Sequence, residues 1–178
     1  MKIQEIKVMR GPNYWSIRRR KLIVMLLDLE DLEERAIYRL ALDEVEIVIL
    51  LKDGGQNISL DKALSCVVGV TLGLDLTLRD IQIEIKKKGY PWELSKSFEQ
   101  SSPLGPMRLY DNSFDLFNLP FTCFVNGEKR QEGNTRDMIF TIPRIISFLS
   151  TIWKLIPGDL IYTGTPAGVG TLCPDDEV

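Results

Sequence analysis

The chain has 178 residues, of which 44% are hydrophobic and 26% are charged, a composition typical of a soluble globular domain. Its net charge of −3 gives no general attraction to nucleic acid, so we expect no nucleic-acid partner. The sequence contains no histidine, which excludes Ser-His-Asp and Cys-His nucleophilic sites, histidine zinc sites and a histidine general base. Any chemistry must therefore use carboxylates, lysine or a bound metal ion.

Cysteine usage and hydropathy indicate a soluble protein of a reducing compartment. Cys66, Cys123 and Cys173 are far apart and form no C-x-x-C pair, so neither a disulfide framework nor a thiolate metal site is predicted. We recognise no signal peptide at the start of the chain. The apolar run Leu22–Leu27 is far shorter than the ~20 residues that a membrane span needs. We therefore expect a cytoplasmic protein with no membrane partner.

The first half of the chain contains several strand signals. Met1–Val8 is predicted as a strand, and the acidic stretch Asp28–Arg35 is prone to form a helix. Val45–Leu51 is the clearest strand, because apolar residues alternate along it until Gly54 and Gly55 end the pattern. A short helix over Ser59–Cys66, with Ser59 as its cap, leads to a β-rich stretch at Val67–Leu76.

A helix is predicted after this β-rich stretch. Thr77 followed by Asp80 resembles a capping box, with the shorter aspartate in place of glutamate. Glu84 and Lys88 are spaced for an i,i+4 ion pair, and Gly89 marks the end of the helix.

The second half adds a hairpin, a helix and a glycine-rich loop. Asn126-Gly127 in the hairpin Phe121–Gln131 suits a type I′ turn, and Pro143–Ile152 is predicted as a helix capped by Thr141. The strand Leu160–Thr163 leads to a loop, Gly164–Gly170, whose glycines indicate close approach of the backbone to another group. This irregular mixture of strands and helices favours a β-rich α+β fold over a doubly wound sheet.

Three carboxylates form a candidate metal site. Glu44 and Glu46 are two residues apart near the start of a predicted strand, so their side chains leave the same face. Asp75 lies in an apolar run, where an unpartnered carboxylate is costly to desolvate. Oxygen ligands without histidine or cysteine favour Mg²⁺ or Mn²⁺, and Ca²⁺ is possible. The alternative is that the glutamates form a solvated strand face and that Asp75 caps a helix.

A series of motifs then follows in uninterrupted order. They are Asp43-Glu-Val-Glu-Ile47, Val68-Gly-Val-Thr-Leu-Gly-Leu-Asp-Leu-Thr-Leu-Arg-Asp80, Lys86-Lys-Lys-Gly-Tyr-Pro-Trp92, Lys96-Ser-Phe98, Pro103-Leu-Gly-Pro106, Val125-Asn-Gly-Glu128, Arg130-Gln-Glu-Gly-Asn-Thr135, Met138-Ile-Phe140 and Thr163-Gly-Thr-Pro-Ala-Gly-Val-Gly170. From about residue 42 to 178, the chain resembles the catalytic domain of the fumarylacetoacetate hydrolase family. Within that family it is most similar to the acylpyruvase and oxaloacetate-acting branch.

The resemblance implies a fold, a ligand set and a partner. The fold would be the family's mixed β-sandwich or roll, truncated at its C-terminal end, and the protein would be a homodimer. The metal ligands would be Glu44, Glu46 and Asp75. The substrate-contacting residues would be Arg79, Gln82, Lys96 and Thr165, with Lys96 as the catalytic positive charge. Arg79 could instead form a structural ion pair with Asp75 or Asp80.

The first part of the chain departs from this pattern. Residues 1–35, including Arg10-Gly-Pro-Asn-Tyr-Trp-Ser-Ile-Arg-Arg19, resemble the start of cyanophycin synthetase, so we divide the chain into residues 1–41 and 42–178. The family normally places a histidine-containing segment ahead of its core and further strands after it. Because this chain has neither, we expect unpaired sheet edges that invite self-association.

Three functions are consistent with these patterns. The first is a metal-dependent hydrolase or lyase that acts on acylpyruvates or oxaloacetate-like β-dicarbonyl acids. The bound 2-oxo acid would chelate the metal, and C–C cleavage, decarboxylation or enolisation would pass through a metal-stabilised enolate. The second is a catalytically impaired, metal-binding fragment with a structural or oligomerisation role. The third, a remnant of a cyanophycin-type ligase, is disfavoured because no ATP-binding glycine loop is present.

Overall fold

The computed structural model describes residues 41–111 and 113–178. The predicted strand Met1–Val8, the helix-prone stretch Asp28–Arg35 and the resemblance of residues 1–35 to cyanophycin synthetase lie outside these described residues. Within the described ranges, no helix has the length and apolar character needed to cross a bilayer.

Short strands and helices alternate irregularly along the described chain. The strands are β1 (Ala41–Asp43), β2 (Val45–Leu51), β3 (Val67–Leu74), β4 (Thr77–Leu78), β5 (Arg108–Leu109), β6 (Pro120–Val125), β7 (Glu128–Asn134), β8 (Leu160–Tyr162) and β9 (Gly170–Leu172). The α-helices are α1 (Leu60–Ala63), α2 (Arg79–Lys87), α3 (Glu93–Lys96) and α4 (Ile142–Ile152). Two 3₁₀ turns follow α1 and β7, at Leu64–Cys66 and Thr135–Asp137.

The largest sheet has the antiparallel order β5-β3-β2-β8, with β2 near its centre. Its pairing with β3 runs from Val45 opposite Leu74 to Leu51 opposite Val67. Apolar side chains of β2 are buried on both faces of the sheet, which is why this segment is apolar almost throughout. The predicted strand Val45–Leu51 is confirmed with its bounds.

A second, smaller sheet has the order β4-β1-β9, and β6 and β7 form a separate hairpin. Within the described residues the chain passes between these two larger sheets four times, twice through a link of only one or two residues. These short links are Glu44, between β1 and β2, and Asp75 with Leu76, between β3 and β4. The two short links are in contact, because the amide of Asp75 donates a hydrogen bond to the carbonyl oxygen of Glu44 at 2.9 Å.

Helix α2 begins later than its sequence signal predicts. Thr77 belongs to β4, where it pairs with Leu42, and its hydroxyl donates to the carbonyl oxygen of Asp75 at 3.1 Å. The N-cap residue is Leu78, which makes no side-chain capping bond. The capping-box prediction is therefore wrong, because the pairing of Thr77 with β1 prevails over the local capping preference. The Glu84–Lys88 ion pair is confirmed, with 2.7 Å between the charged atoms.

The hairpin and the last helix follow the sequence signals closely. Asn126 and Gly127 have φ angles of 52° and 80°, as a type I′ turn requires. Helix α4 starts after its N-cap Thr141 and carries a proline in its first turn. Ser150 of α4 anchors the loop before α1 by accepting a hydrogen bond from the amide of Ile58 at 2.8 Å.

Apolar residues from the largest sheet, the hairpin, the loop before the hairpin and α4 form the core. It includes Ile47, Ile49, Leu51, Val70, Leu72, Leu74, Leu116, Phe121, Ile142, Ile146 and Ile161. The described residues thus form a β-rich α+β fold, as the sequence predicts. The three predicted acidic ligands lie where this core meets the crossings between sheets.

Candidate metal centre

Three carboxylates converge where the chain passes between the two sheets. Glu44 occupies the crossing before β2, Glu46 is the second residue of β2, and Asp75 directly follows β3. Each side chain offers one carboxylate oxygen, and these three oxygens all lie within 4.8 Å of one another. The residues that the sequence predicts as metal ligands are therefore brought together.

One oxygen of this cluster lacks a partner. Asp75 Oδ1 is buried and accepts no hydrogen bond. Among the described residues, it is the only buried side-chain nitrogen or oxygen that lacks a hydrogen-bond partner. Burying a polar atom without a partner costs roughly 1–3 kcal/mol, and more when the group is charged. This unpaired oxygen points to a bound group that completes the site.

Glu46 is the most deeply buried of the three acids, with 5% of its surface exposed. Its Oε2 accepts a hydrogen bond from the amide of Gly164 at 2.7 Å. The pKa of Glu46 is raised from 4.5 to about 7, and burial is the largest cause. The charges of Asp75 and Glu44 also raise this pKa, whereas the hydrogen bond from Gly164 and the charge of Lys96 lower it. In the absence of a cation, the site therefore disfavours the ionised form of Glu46.

Among the described residues, the ammonium of Lys96 is the positive charge nearest to the cluster. Its Nζ lies 2.6 Å from Glu44 Oε2 and 3.1 Å from Asp75 Oδ2. Helix α3 ends at Lys96, and the buried Ser95 fixes the turn by donating its hydroxyl to the carbonyl oxygen of Trp92 at 2.7 Å. Lys96, predicted as the catalytic positive charge, thus lies in direct contact with two of the predicted ligands.

The residues present fit a hard divalent cation. Three carboxylates face one ammonium, and oxygen donors without sulfur or nitrogen suit Mg²⁺ or Mn²⁺ better than softer metals. Mg²⁺ binds oxygen at about 2.1 Å, so oxygens on one ion are at most about 4.2 Å apart. Since the three donor oxygens already lie within 4.8 Å, small side-chain rotations would bring them to one ion.

Arg79 and Gln82 lie beside the cluster on the first turn of α2. Arg79 Nη1 donates to Gln82 Oε1 at 2.5 Å, and its Nη2 lies 3.9 Å from Glu44 Oε1. Arg79 thus forms an ion pair with Glu44, whereas the sequence leaves open a pair with Asp75 or Asp80. The side chain of Gln82 is buried, whereas that of Arg79 is partly exposed.

Thr165 approaches the cluster from the glycine-rich loop. Its hydroxyl donates to the carbonyl oxygen of Val45, at 2.9 Å, between the two glutamate ligands. Two residues earlier, Thr163 donates its amide and hydroxyl to the carbonyl oxygen of Ile47. The loop therefore runs along the strand that carries Glu46, and Thr165 lies next to the metal ligands in sequence and space.

Gln131 is a buried residue of this region to which the sequence assigns no role. It is 1% exposed on β7, and its side-chain amide bonds both to Val45 and to the glycine-rich loop. The available signal was a glutamine opposite Cys123, at an inward-facing position of the hairpin. That signal cannot identify the partners, which come from distant parts of the chain.

A cavity of about 460 Å³ borders the same loop without reaching the carboxylates. Ile47, Phe121 and Met138 form part of its wall, together with the loop residues 163–166. None of the three acids lines it, but Gly164 and Thr165, which hydrogen-bond Glu46 and Val45, do.

Comparisons with known proteins assign this chain to one family. The family described as fumarylacetoacetate (FAA) hydrolase C-terminal matches residues 35–178. The mitochondrial oxaloacetate tautomerase FAHD1 of Mus musculus is 48% identical over 135 residues, which cover 76% of this chain and 61% of that protein. The mitochondrial oxaloacetate decarboxylase of Dictyostelium discoideum is 43% identical over 131 residues, covering 74% of this chain and 60% of that protein.

A solved structure shows the same fold. The crystal structure of fumarylpyruvate hydrolase from Pseudomonas aeruginosa in complex with Mn²⁺ and pyruvate superposes with a TM-score of 0.74 at 35% identity. The match covers 77% of this chain and 59% of that one. The chain thus spans about three fifths of the length of the curated relatives named above.

These matches also concern the start of the core and the predicted resemblance of residues 1–35. The family match starts at residue 35, whereas the sequence motifs place the start of the core near residue 42. Nothing in these matches supports the resemblance of residues 1–35 to cyanophycin synthetase. The resemblance from residue 42 onward and the predicted family-like fold are confirmed, and the chain belongs to the fumarylacetoacetate hydrolase family.

Proposed function

We propose that this chain is the metal-binding core of an enzyme that acts on oxaloacetate-like or acylpyruvate substrates. The observation that carries the proposal is the cluster of Glu44, Glu46 and Asp75, together with the buried and unpaired oxygen Asp75 Oδ1. The names of the relatives support the substrate class, since they act on oxaloacetate or on fumarylpyruvate. All of these substrates are short acids with a 2-oxo group.

We propose Mg²⁺ or Mn²⁺ as the resident ion, held by Glu44, Glu46 and Asp75. When bound, it supplies Lewis-acid stabilisation for negative charge that develops on a substrate oxygen. The relative solved with Mn²⁺ and pyruvate supports this choice of ion.

The surrounding residues provide positive charge and orientation. Lys96 places its ammonium at the edge of the cluster, where it can face a developing oxyanion. Arg79 lies on the neighbouring turn, oriented by Gln82, and offers a guanidinium to a substrate carboxylate. The Thr165 hydroxyl already donates its hydrogen to the carbonyl oxygen of Val45. Toward a substrate, its oxygen can therefore only accept a hydrogen bond, unless the bond to Val45 is broken.

The absence of histidine ranks the possible reactions. The chain has no histidine to activate a water molecule, and hydrolysis requires an activated water at the start. Enolisation and decarboxylation do not require it. We therefore propose tautomerisation or decarboxylation of a β-dicarbonyl acid ahead of hydrolysis as the reaction of this chain.

An assay with matched variants tests this function. Oxaloacetate and an acylpyruvate are incubated with Mg²⁺ or Mn²⁺ and wild type, Asp75→Ala or Glu128→Gln. Glu128 is exposed on the hairpin, so its variant removes one negative charge away from the cluster. We expect metal-dependent turnover by wild type and Glu128→Gln only. Because free metal ions act equally on all three samples, equal rates in all of them would refute the enzymatic function.

Metal binding without turnover would instead support the second function, a metal- and acid-binding module of this family. Self-association would fit either function, because large apolar side chains such as Ile139 and Phe148 are exposed on the described surface, Ile139 by 92%. We propose a homodimer, which sedimentation velocity would test. The cytoplasmic location stays a prediction, and the two curated relatives named above are mitochondrial.

A further inference from the structure

The side-chain amide of Gln131 joins three segments that are distant in sequence. Its Oε1 accepts a hydrogen bond from the amide of Val45 at 3.0 Å. Its Nε2 donates to Thr165 Oγ1 at 2.9 Å and to the carbonyl oxygen of Pro166 at 3.0 Å. The whole side chain is buried, and both amide hydrogens and the amide oxygen have partners.

The chemistry of these partners fixes the orientation of the amide. A backbone amide can only donate, so Val45 must face the oxygen of Gln131. A carbonyl oxygen can only accept, so Pro166 must face the nitrogen. If the amide were flipped, its nitrogen would face the N–H donor of Val45 and its oxygen would face the carbonyl oxygen of Pro166. Each of these two buried mismatches would cost roughly 1–3 kcal/mol.

This orientation also sets the direction of the Thr165 hydroxyl. Since Thr165 Oγ1 accepts a hydrogen from Gln131, its own hydrogen is directed to the carbonyl oxygen of Val45. Val45 is therefore bound on both its amide and its carbonyl side, by Gln131 and Thr165 respectively. This residue separates the two glutamate ligands.

The same contacts place the glycine-rich loop against the ligands. Immediately before Thr165, the amide of Gly164 holds the carboxylate of Glu46 at 2.7 Å. Farther along, Gly168 has a φ of +100°, and a Cβ there would lie 2.5 Å from the carbonyl oxygen of Arg130. The loop therefore rests directly on the strand that carries Gln131.

We propose that Gln131 is a positioning residue for the metal centre, acting as a lock between the glycine-rich loop and strand β2. It holds the loop so that the amide of Gly164 meets Glu46 and the Thr165 hydroxyl points to Val45. The lock itself is a property of the metal-free protein. Its consequence for metal binding rests on the proposed function.

Hydrogen exchange in the metal-free protein tests the lock. The variant Gln131→Met keeps the length of the side chain and removes all three hydrogen bonds. Val125→Ala serves as the control, because it shortens a buried side chain of the same hairpin without touching the lock. We expect exchange of the Thr163 and Gly164 amides to accelerate at least tenfold in Gln131→Met, relative to amides paired between β2 and β3. In Val125→Ala we expect the loop and these reference amides to change together.

Mn²⁺ titration tests the consequence. Titration of the full chain, followed by the Mn²⁺ electron paramagnetic resonance signal, should show about tenfold weaker binding in Gln131→Met, as is typical when a residue supporting a ligand is lost. Val125→Ala should bind within twofold of wild type. The double variant with Thr165→Val should bind no more weakly than Gln131→Met alone, because both residues act in one network.

The outcomes separate the two proposals. If wild type binds Mn²⁺ and Gln131→Met binds it equally well, the positioning role is wrong, whatever the loss of stability. If loop exchange in Gln131→Met merely follows the reference amides, the lock is wrong as well. Failure of wild type to bind Mn²⁺ would overturn the proposed metal centre, and the exchange comparison would then decide the lock by itself.

Discussion

Glu46 should give the metal-free protein a stability that falls as the pH rises. Its pKa is raised from 4.5 to about 7, chiefly by burial. Between these values the folded protein holds a proton that the unfolded chain has released, so raising the pH favours unfolding. The stabilisation linked to this proton is fully present below pH 4.5 and is lost as the pH rises through 7. Acids held in salt bridges behave in the opposite way.

The size of the effect follows from the shift. At about 1.4 kcal/mol per pKa unit, the change from 4.5 to about 7 amounts to about 3 kcal/mol of unfolding free energy. Urea unfolding of wild type and Glu46→Gln, with chelator, should measure it between pH 4.5 and 8. The glutamine side chain does not titrate and can still accept the bond from Gly164. The wild type should therefore lose about 3 kcal/mol relative to the variant across this range.

Metal binding should reverse this dependence, because the ion requires a deprotonated carboxylate. Near pH 6, binding of Mn²⁺ should release up to one proton from Glu46, and at pH 8.5 almost none. Calorimetry in two buffers of different ionisation enthalpy measures that release. A wild-type stability that stays level or rises with pH relative to Glu46→Gln would refute the reasoning, as would proton release that does not depend on pH.

Three further changes have defined outcomes. In thermal scans, Mn²⁺ at 100 times its Kd should stabilise wild type by about 2.7 kcal/mol. In Asp75→Ala, a 100-fold loss of affinity would reduce this stabilisation to about 0.4 kcal/mol. Equal stabilisation of the two proteins would contradict the role of Asp75 as a ligand. Lys96→Met should bind Mn²⁺ at least as tightly, because its ammonium competes for Glu44, while turnover of oxaloacetate falls about 100-fold. Unchanged turnover would remove Lys96 from the mechanism. Gly127→Ala should cost about 1 kcal/mol in urea unfolding, since its φ is +80° with open space around it, and unaltered stability would argue against the type I′ turn.

Local patterns predicted the elements that depend on local physics. The apolar pattern of β2, bounded by two glycines, located that strand to the residue. The Asn126-Gly127 pair located the hairpin, because few residues adopt two successive positive φ angles. The start of α2 could not be found this way, because Thr77 is bound in a strand whose partner comes from residues far earlier in the chain.

The site residues fall into the same two groups, those that a sequence pattern indicates and those whose contacts depend on distant segments. Glu44, Glu46 and Asp75 could be proposed because charged residues interrupt an apolar pattern, and the family motifs named Lys96. The contact of Lys96 with two of these acids depends on how α3 packs, which no local pattern contains. Gln131 was missed for the same reason, since its partners lie 86 and 34 residues away in sequence.

The proposed metal centre lies at two links between the sheets, so a bound ion would also join the two sheets. Glu46 belongs to the larger sheet, whereas Glu44 and Asp75 occupy two of the links through which the chain passes between that sheet and the smaller one. An ion held by all three acids would hold the two sheets together where the chain passes between them. Arg79 and Lys96 follow the smaller sheet in the chain, and Thr165 follows the larger one. The distance between these two sets of proposed substrate-contacting residues would therefore depend on the bound ion.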